Sequence, residues 1–260
     1  MDDRVTTKHV TIVLNKPKYS ANIGLVARCA VNMGIERLFV ITNGRQYDQD
    51  EIKRTATHCA SGFIKEEMRY FDRLDSALSQ CNYVVGTTAR TGNTNLKRSI
   101  TTPRKMAAQL TSISCENDVA LLFGPEDRGL TNNELRYCDL LVTIPTSGRL
   151  KSINLSHAVM VLCYEIFVTE NAPRTAFSPR LATSKEKEDM FDHLKDIFIK
   201  INFINPENPE YWMTSIRNFF SRTKLHAKDV KIVRGVCRQI DLYGRGKTKS
   251  SETVCRKITG

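Results

Sequence analysis

Residues 119–130 read Val-Ala-Leu-Leu-Phe-Gly-Pro-Glu-Asp-Arg-Gly-Leu: an apolar run, then a loop with two glycines and a proline. The run is continuous rather than alternating, the pattern of a strand buried on both faces of a parallel sheet. Similar runs stand at 10–14 (VTIVL), 38–41 (LFVI), 83–88 (YVVGTT) and 140–144 (LLVTI), with a weaker candidate at 68–71. Helical segments are predicted between most of them, at 49–59, 72–80, 103–111 and 131–137. Ser20 is placed to cap a helix after the first strand and Gly34 to end it. A last helix is predicted over 153–170, where Leu155, Val159, Leu162 and Ile166 recur at helical spacing. Strands alternating with helices argue an α/β domain with a mainly parallel sheet.

The composition changes near residue 171. The segment NAPRTAFSP carries two prolines and reads as a linker over 171–183. Only helical patterns follow, at about 184–203, 209–222 and 227–242. The expected organisation is an α/β domain over 1–170, a helical extension over 184–245 and a mobile tail over 246–260. Charge is divided unevenly. Residues 1–174 hold 22 basic and 18 acidic side chains, whereas the last 50 residues hold 12 and 3. The positive charge is therefore concentrated in the helical extension.

The whole chain of 260 residues has a net charge of +11, which makes a polyanion such as nucleic acid the first candidate partner. Hydrophobic residues at 41% and charged residues at 26% match a globular protein and oppose wholesale disorder. No apolar run is long enough to span a membrane, and MDDRVTTKHV lacks the apolar core of a signal peptide. The eight cysteines are scattered with no C-x-x-C pair, so reduced thiols, a cytoplasmic location and no structural metal are expected.

Three polar loops follow predicted strands. The first, Asn15-Lys-Pro-Lys-Tyr-Ser-Ala-Asn22-Ile-Gly24, is followed by Arg28. The second is the loop at 123–130 quoted above. The third, Ile144-Pro-Thr-Ser-Gly-Arg-Leu-Lys151-Ser152-Ile153-Asn154, leads into the last α/β helix. In an open α/β sheet such loops border the ligand crevice, and a helix start there favours anions. The glycine spacing is neither that of a dinucleotide fingerprint nor that of a P-loop, so a nucleotide-dependent oxidoreductase is unsupported. On spacing alone, Arg28 reads as a surface ion-pair partner and Ser152 as a helix cap. Asn154, a weak helix former in a first turn, hints at a specific polar partner.

Together these segments resemble the three motifs of SPOUT-class RNA ribose methyltransferases over about residues 8–170. The segment Ile216-Arg-Asn-Phe-Phe-Ser-Arg222, with Lys231-Ile-Val-Arg234-Gly235, looks like the helical extension of the TrmJ branch. The resemblance implies S-adenosylmethionine as donor, a trefoil knot near the C-terminal edge of the sheet, and a homodimer with active sites at its interface. It further implies methylation of a ribose 2′-OH in tRNA, at anticodon-loop position 32. By motif match, Thr88, Ala89, Arg90, Gly124, Glu126, Ile144, Lys151, Ser152, Ile153 and Asn154 would hold the cofactor. Arg28, Ser152 and Asn22 would form the catalytic group. An ordinary arginine is a poor base, so Arg28 is assigned to the developing oxyanion and the adjacent phosphate. The polar stretch 91–98 is expected to be mobile without RNA.

The basic side chains Arg217, Arg222, Lys224, Lys228, Lys231, Arg234 and Arg238 fall in or between two predicted helices at spacings that can line one face. Ile216, Phe219, Phe220, Ile232, Val233 and Ile240 are expected to pack another. Such a bundle would bind the phosphate backbone, with Arg217, Arg222, Lys224, Lys231 and Arg234 as RNA contacts. Two rival readings keep the same fold: methylation of ribosomal RNA or another tRNA position, and an RNA-binding protein without catalysis.

Overall fold

The computed structural model describes residues 5–89, 100–113, 116–147, 152–169 and 179–258, and for residues 5, 6, 112 and 245–258 the backbone alone. The polar stretch 91–98 lies outside them. The chain divides into two compact units, Met1–Ser184 and Lys185–Gly260.

In unit 1 the strands are β1 (Val10–Asn15), β2 (Arg37–Ile41), β3 (Met68–Phe71), β4 (Tyr83–Thr87), β5 (Ile100–Thr101), β6 (Val119–Phe123) and β7 (Leu140–Val142). The helices are α1 (Val5–Lys8), α2 (Ser20–Asn32), α3 (Gln49–Ala56), α4 (Ser61–Glu66), α5 (Leu74–Leu78), α6 (Pro103–Ile113), α7 (Asn132–Leu135) and α8 (Leu155–Thr169). The sheet has the order β3-β2-β1-β6-β4-β7-β5, and every pairing is parallel. The apolar run at 119–123 is buried at every position, as a strand covered on both faces must be. Val10, Ile12 and Leu14 pack with α2, α6 and α8 on one face. Val13, Ala120 and Leu122 pack with Ala77, Leu78 and Leu135 on the other.

Several sequence expectations need local correction. Ser20 does not cap α2: it is the first helical residue, and its Oγ accepts a hydrogen bond from the Asp48 amide at 3.0 Å. Tyr19 holds the cap position without a side-chain cap bond. Gly34, with φ +67°, does follow the helix end. The helix predicted at 49–59 stops at Ala56, because Thr57 turns to φ +66°. The short β5 carried too few residues to be read in the sequence. The end of the expected linker is part of unit 1: Leu181 and Ala182 are buried, and the Leu181 amide and carbonyl bond to Asn117 and Asn82.

Unit 2 contains α9 (Ser184–Lys200, which begins on the last residue of unit 1), α10 (Pro209–Phe220) and α11 (Ala227–Ile258). The tail expected over 246–260 differs from the structure, where the α11 backbone continues helical to Ile258. Gly244 and Gly246 weaken helix formation there, but no proline stops it.

Candidate active site

A cleft of about 300 Å³ opens at the carboxyl ends of β4, β6 and β7. Its walls come from residues 87–89, 123–130, 142, 144, 152–153, 155 and 158. Phe123, Leu130, Val142, Ile144 and Leu155 supply apolar surface, while Thr87, Thr88, Glu126 and Ser152 supply polar groups. The second loop is shaped by its glycines. The Gly129 amide donates to the Pro125 carbonyl at 2.9 Å, and Gly129 takes φ +68°. A Cβ on Gly124 would collide with the Gly129–Leu130 peptide, so only glycine lets the loop fold back on itself.

Of the expected cofactor residues, Thr88, Ala89, Gly124, Glu126, Ile144, Ser152 and Ile153 line this cleft. Arg90 and Lys151 lie outside the described residues. Asn154 is not a wall residue: it reaches the cleft through a chain of hydrogen bonds. Its Nδ2 donates to Asn22 Oδ1 at 3.4 Å, Asn22 Nδ2 donates to Glu126 Oε1 at 2.7 Å, and the Lys18 amide donates to Glu126 Oε2 at 2.6 Å. Asn154 Oδ1 also accepts from the amide and hydroxyl of Ser156 at 2.9 and 2.7 Å. Asn154, not Ser152, therefore caps α8. The three loops that resemble the motifs are joined at one point, the Glu126 carboxylate and the buried Asn22.

Arg28 stands apart from this group. It is exposed on α2, does not line the cleft, and forms no hydrogen bond or ion pair with a described residue. The surface ion pair that its spacing suggested is absent among the described residues. Leu25 and Val31, one turn to either side of Arg28, are also exposed, as are Tyr164 and Val168 on α8, the helix packed beside α2.

Sequence reasoning missed the part of the site that precedes α2. The Pro17 carbonyl accepts from Tyr47 Oη at 3.0 Å and from Arg45 at 3.1 Å, while the Lys16 amide donates to Ile41 at 3.0 Å. Burial raises the Tyr47 phenol above its ordinary pKa, so it stays a donor at neutral pH. No local spacing announces contacts between residues about 30 positions apart.

In unit 2 the basic residues separate into two kinds. Arg222, Lys224, Lys228, Lys231, Arg234 and Arg238 are exposed and form no ion pair with a described residue. Arg217 is different: its guanidinium makes two bonds to the Glu188 carboxylate at 2.6 and 2.8 Å and lies 4.3 Å from the Phe191 ring centroid. Its side chain is only 12% exposed, so its assignment as an RNA contact is corrected to a fastener between α9 and α10. Phe219 and Ile232, expected to be packed, are 66% and 65% exposed. Met213, Val230 and Cys237 are buried in their place.

Among the described residues no helix is long and apolar enough to cross a membrane, and no cluster of His, Cys, Asp or Glu could hold a metal ion. Six cysteines have described side chains, all free, and only Cys59 among them is exposed.

Residues 9–164 match the model of the SpoU rRNA Methylase family, and residues 185–253 match that of the tRNA methyltransferase TrmJ C-terminal domain. The chain is 31% identical over 252 residues to the tRNA (cytidine/uridine/adenosine-2′-O-)-methyltransferase TrmJ of Pseudomonas aeruginosa, covering 91% of this chain and 95% of the relative. It is 33% identical over 200 residues to the tRNA (cytidine-2′-O-)-methyltransferase TrmJ of Methanocaldococcus jannaschii, covering 76% and 85%. The crystal structure of TrmJ from Z. mobilis ZM4 shares the fold, with a TM-score of 0.72 and 24% identity over 89% of this chain and 98% of that one. With the motif loops joined around one cleft and both family models matched in order, the chain belongs to the SpoU rRNA methylase family, in its TrmJ branch.

Proposed function

We propose that the protein methylates a ribose 2′-OH in tRNA, at anticodon-loop position 32, with S-adenosylmethionine as donor. The observation that carries this reading is the bonded group Lys18–Glu126–Asn22–Asn154, which ties three motif loops around the cleft. The printed names of the Pseudomonas and Methanocaldococcus relatives support tRNA as substrate and the 2′-oxygen as target.

The residues present fit the cofactor. A cleft with an apolar wall and a few fixed polar groups suits a nucleoside, and Gly124 lets the loop that forms one wall close tightly on the Gly129–Leu130 peptide. When bound, S-adenosylmethionine supplies an electrophilic methyl group. Phe123, Leu130, Ile144 and Leu155 exclude water from that group's surroundings. Glu126 and Asn22, each held by a bonded neighbour, fix the loop positions that align the two reactants. Ser152, on the wall, orients the cofactor or the attacking hydroxyl. Arg28 stabilises the charge that develops on the 2′-oxygen while its proton passes to solvent.

Arg28 does not line the cleft of its own chain, so we place it in the cleft of a second copy. The exposed Leu25, Val31, Tyr164 and Val168 beside it supply apolar surface for a homodimer contact. The trefoil knot of such enzymes is proposed for the part of unit 1 that carries the second and third motifs. The exposed basic side chains of unit 2 are proposed as contacts to tRNA phosphates outside the reacting nucleotide. A cytoplasmic location goes with this substrate.

The test combines two inactive variants. Arg28→Ala and Asn154→Ala proteins are expected to be nearly inactive alone and to regain part of the activity when their subunits are exchanged. Mixed dimers that stay as inactive as the parents would contradict a shared site.

A further inference from the structure

Tyr19 has no part in the group described above, yet it stands beside it. Its ring is 54% exposed, and it occupies a helix-cap position where it makes no side-chain cap bond. Ser, Thr, Asp or Asn would cap α2 better, so local helix stability does not account for a tyrosine. The backbone that carries it is held from three sides. Tyr47 and Arg45 grip the Pro17 carbonyl, Glu126 takes the Lys18 amide at 2.6 Å, and Ser20 Oγ takes the Asp48 amide. Glu126 is itself a wall residue of the cleft, so Tyr19 follows directly on an amide fixed to that wall.

One cation lies beside the ring, and two more are exposed on the neighbouring loops. Lys18 Nζ lies 5.6 Å from the ring centroid, Arg45 is exposed on the adjoining loop, and Arg128 is exposed on the cleft wall. Three acidic residues stand on the same segments: Asp127 lies 4.0 Å from Lys18 Nζ, Glu126 holds the Lys18 amide, and Asp48 bonds Ser20 through its amide. An exposed, pre-positioned aromatic ring with a cation beside it is an arrangement that stacks an unpaired nucleic-acid base while its phosphate is met electrostatically. A rigid ring also loses little conformational freedom on binding.

We infer that Tyr19 is a base-stacking platform at the lip of the cleft: it receives a base at or next to the nucleotide whose ribose enters, and Lys18 and Arg128 meet the neighbouring phosphates. The inference rests on the tRNA reading above and adds to it a residue that positions the target.

The experiment measures binding of an unmodified tRNA transcript, without cofactor, to wild type, Tyr19→Ala, Tyr19→Phe and Lys18→Ala across a salt series. S-adenosylhomocysteine affinity and thermal melting are followed in parallel. Tyr19→Ala is expected to weaken tRNA binding about 5- to 100-fold with an unchanged salt slope, and Tyr19→Phe to stay within about threefold of wild type. Lys18→Ala should lower the salt slope by about one unit. Melting and S-adenosylhomocysteine affinity should not move in Tyr19→Ala. If wild type binds tRNA and Tyr19→Ala binds it equally well, the platform is overturned alone. If Tyr19→Phe is as damaged as Tyr19→Ala, the hydroxyl rather than the ring is what matters, and stacking is overturned. A wild type that binds no tRNA overturns the functional reading and the platform together.

Discussion

The two units of the chain put their polar side chains to opposite uses. In unit 1, Asn22, Glu126 and Asn154 come from three separate segments and bond to one another beside the cleft. In unit 2, Arg222, Lys224, Lys231 and Arg234 bond to no described residue, while Arg217 closes an internal ion pair with Glu188. A polar group that shapes a site is satisfied inside the protein, because leaving it buried and unpaired would cost about 1–3 kcal/mol. A cation meant for phosphate is left in water, where it costs nothing to keep until the partner arrives. Arg28 follows the second pattern although it sits in the first unit, which is why we assign it to a partner outside its own chain.

The contrast can be broken most sharply at Arg28. Arg28→Ala should lower turnover about 100- to 1,000-fold and leave S-adenosylhomocysteine affinity within about twofold. Arg28→Lys should fail as well, since a point charge does not replace the planar fork. Turnover within a few-fold of wild type would remove Arg28 from the reaction.

Removing unit 2, residues 185–260, should come next in size. Affinity for tRNA should fall about 100-fold at physiological salt, and its logarithmic salt dependence should flatten by about three units for four lost phosphate contacts. S-adenosylhomocysteine should still bind, because every proposed cofactor contact precedes Leu155. Asn22→Ala should act the other way round. Cofactor-product affinity should drop about tenfold as Glu126 and Asn154 lose their shared partner, with the tRNA salt slope unchanged.

The smallest effects discriminate within unit 2 itself. Arg217→Ala should destabilise this unit by about 2 kcal/mol without altering the salt slope of tRNA binding. Arg222→Ala should lower that slope by about one unit and shift stability by less than about 0.5 kcal/mol. If Arg217→Ala lowered the slope and left stability alone, the two kinds of arginine would have been assigned the wrong way round.

What could be read in the sequence follows the same division. The continuous apolar runs identified the buried parallel strands, since a strand covered on both faces has no polar side to show. Gly124 and Gly129 marked the tight loop, because its backbone needs them locally. The strand order, with β6 between β1 and β4, could not be read, since pairing is decided by distant segments. Arg217 looked like any other cation in the run because Glu188 is 29 residues away. Asn154, expected inside a first helical turn, instead caps α8, and its bond to Asn22, 132 residues away, had no local signal. Tyr19 lay within the first quoted motif, and only the grip on Pro17 and Lys18 set it apart.

The most direct test of the central claim is ribose-methylation mapping of tRNA transcripts incubated with the purified protein, with and without S-adenosylmethionine. The account predicts a single cofactor-dependent 2′-O-methyl group at anticodon-loop position 32, absent with the Arg28→Ala protein. A folded protein that binds tRNA and S-adenosylhomocysteine but leaves every ribose unmethylated would contradict it.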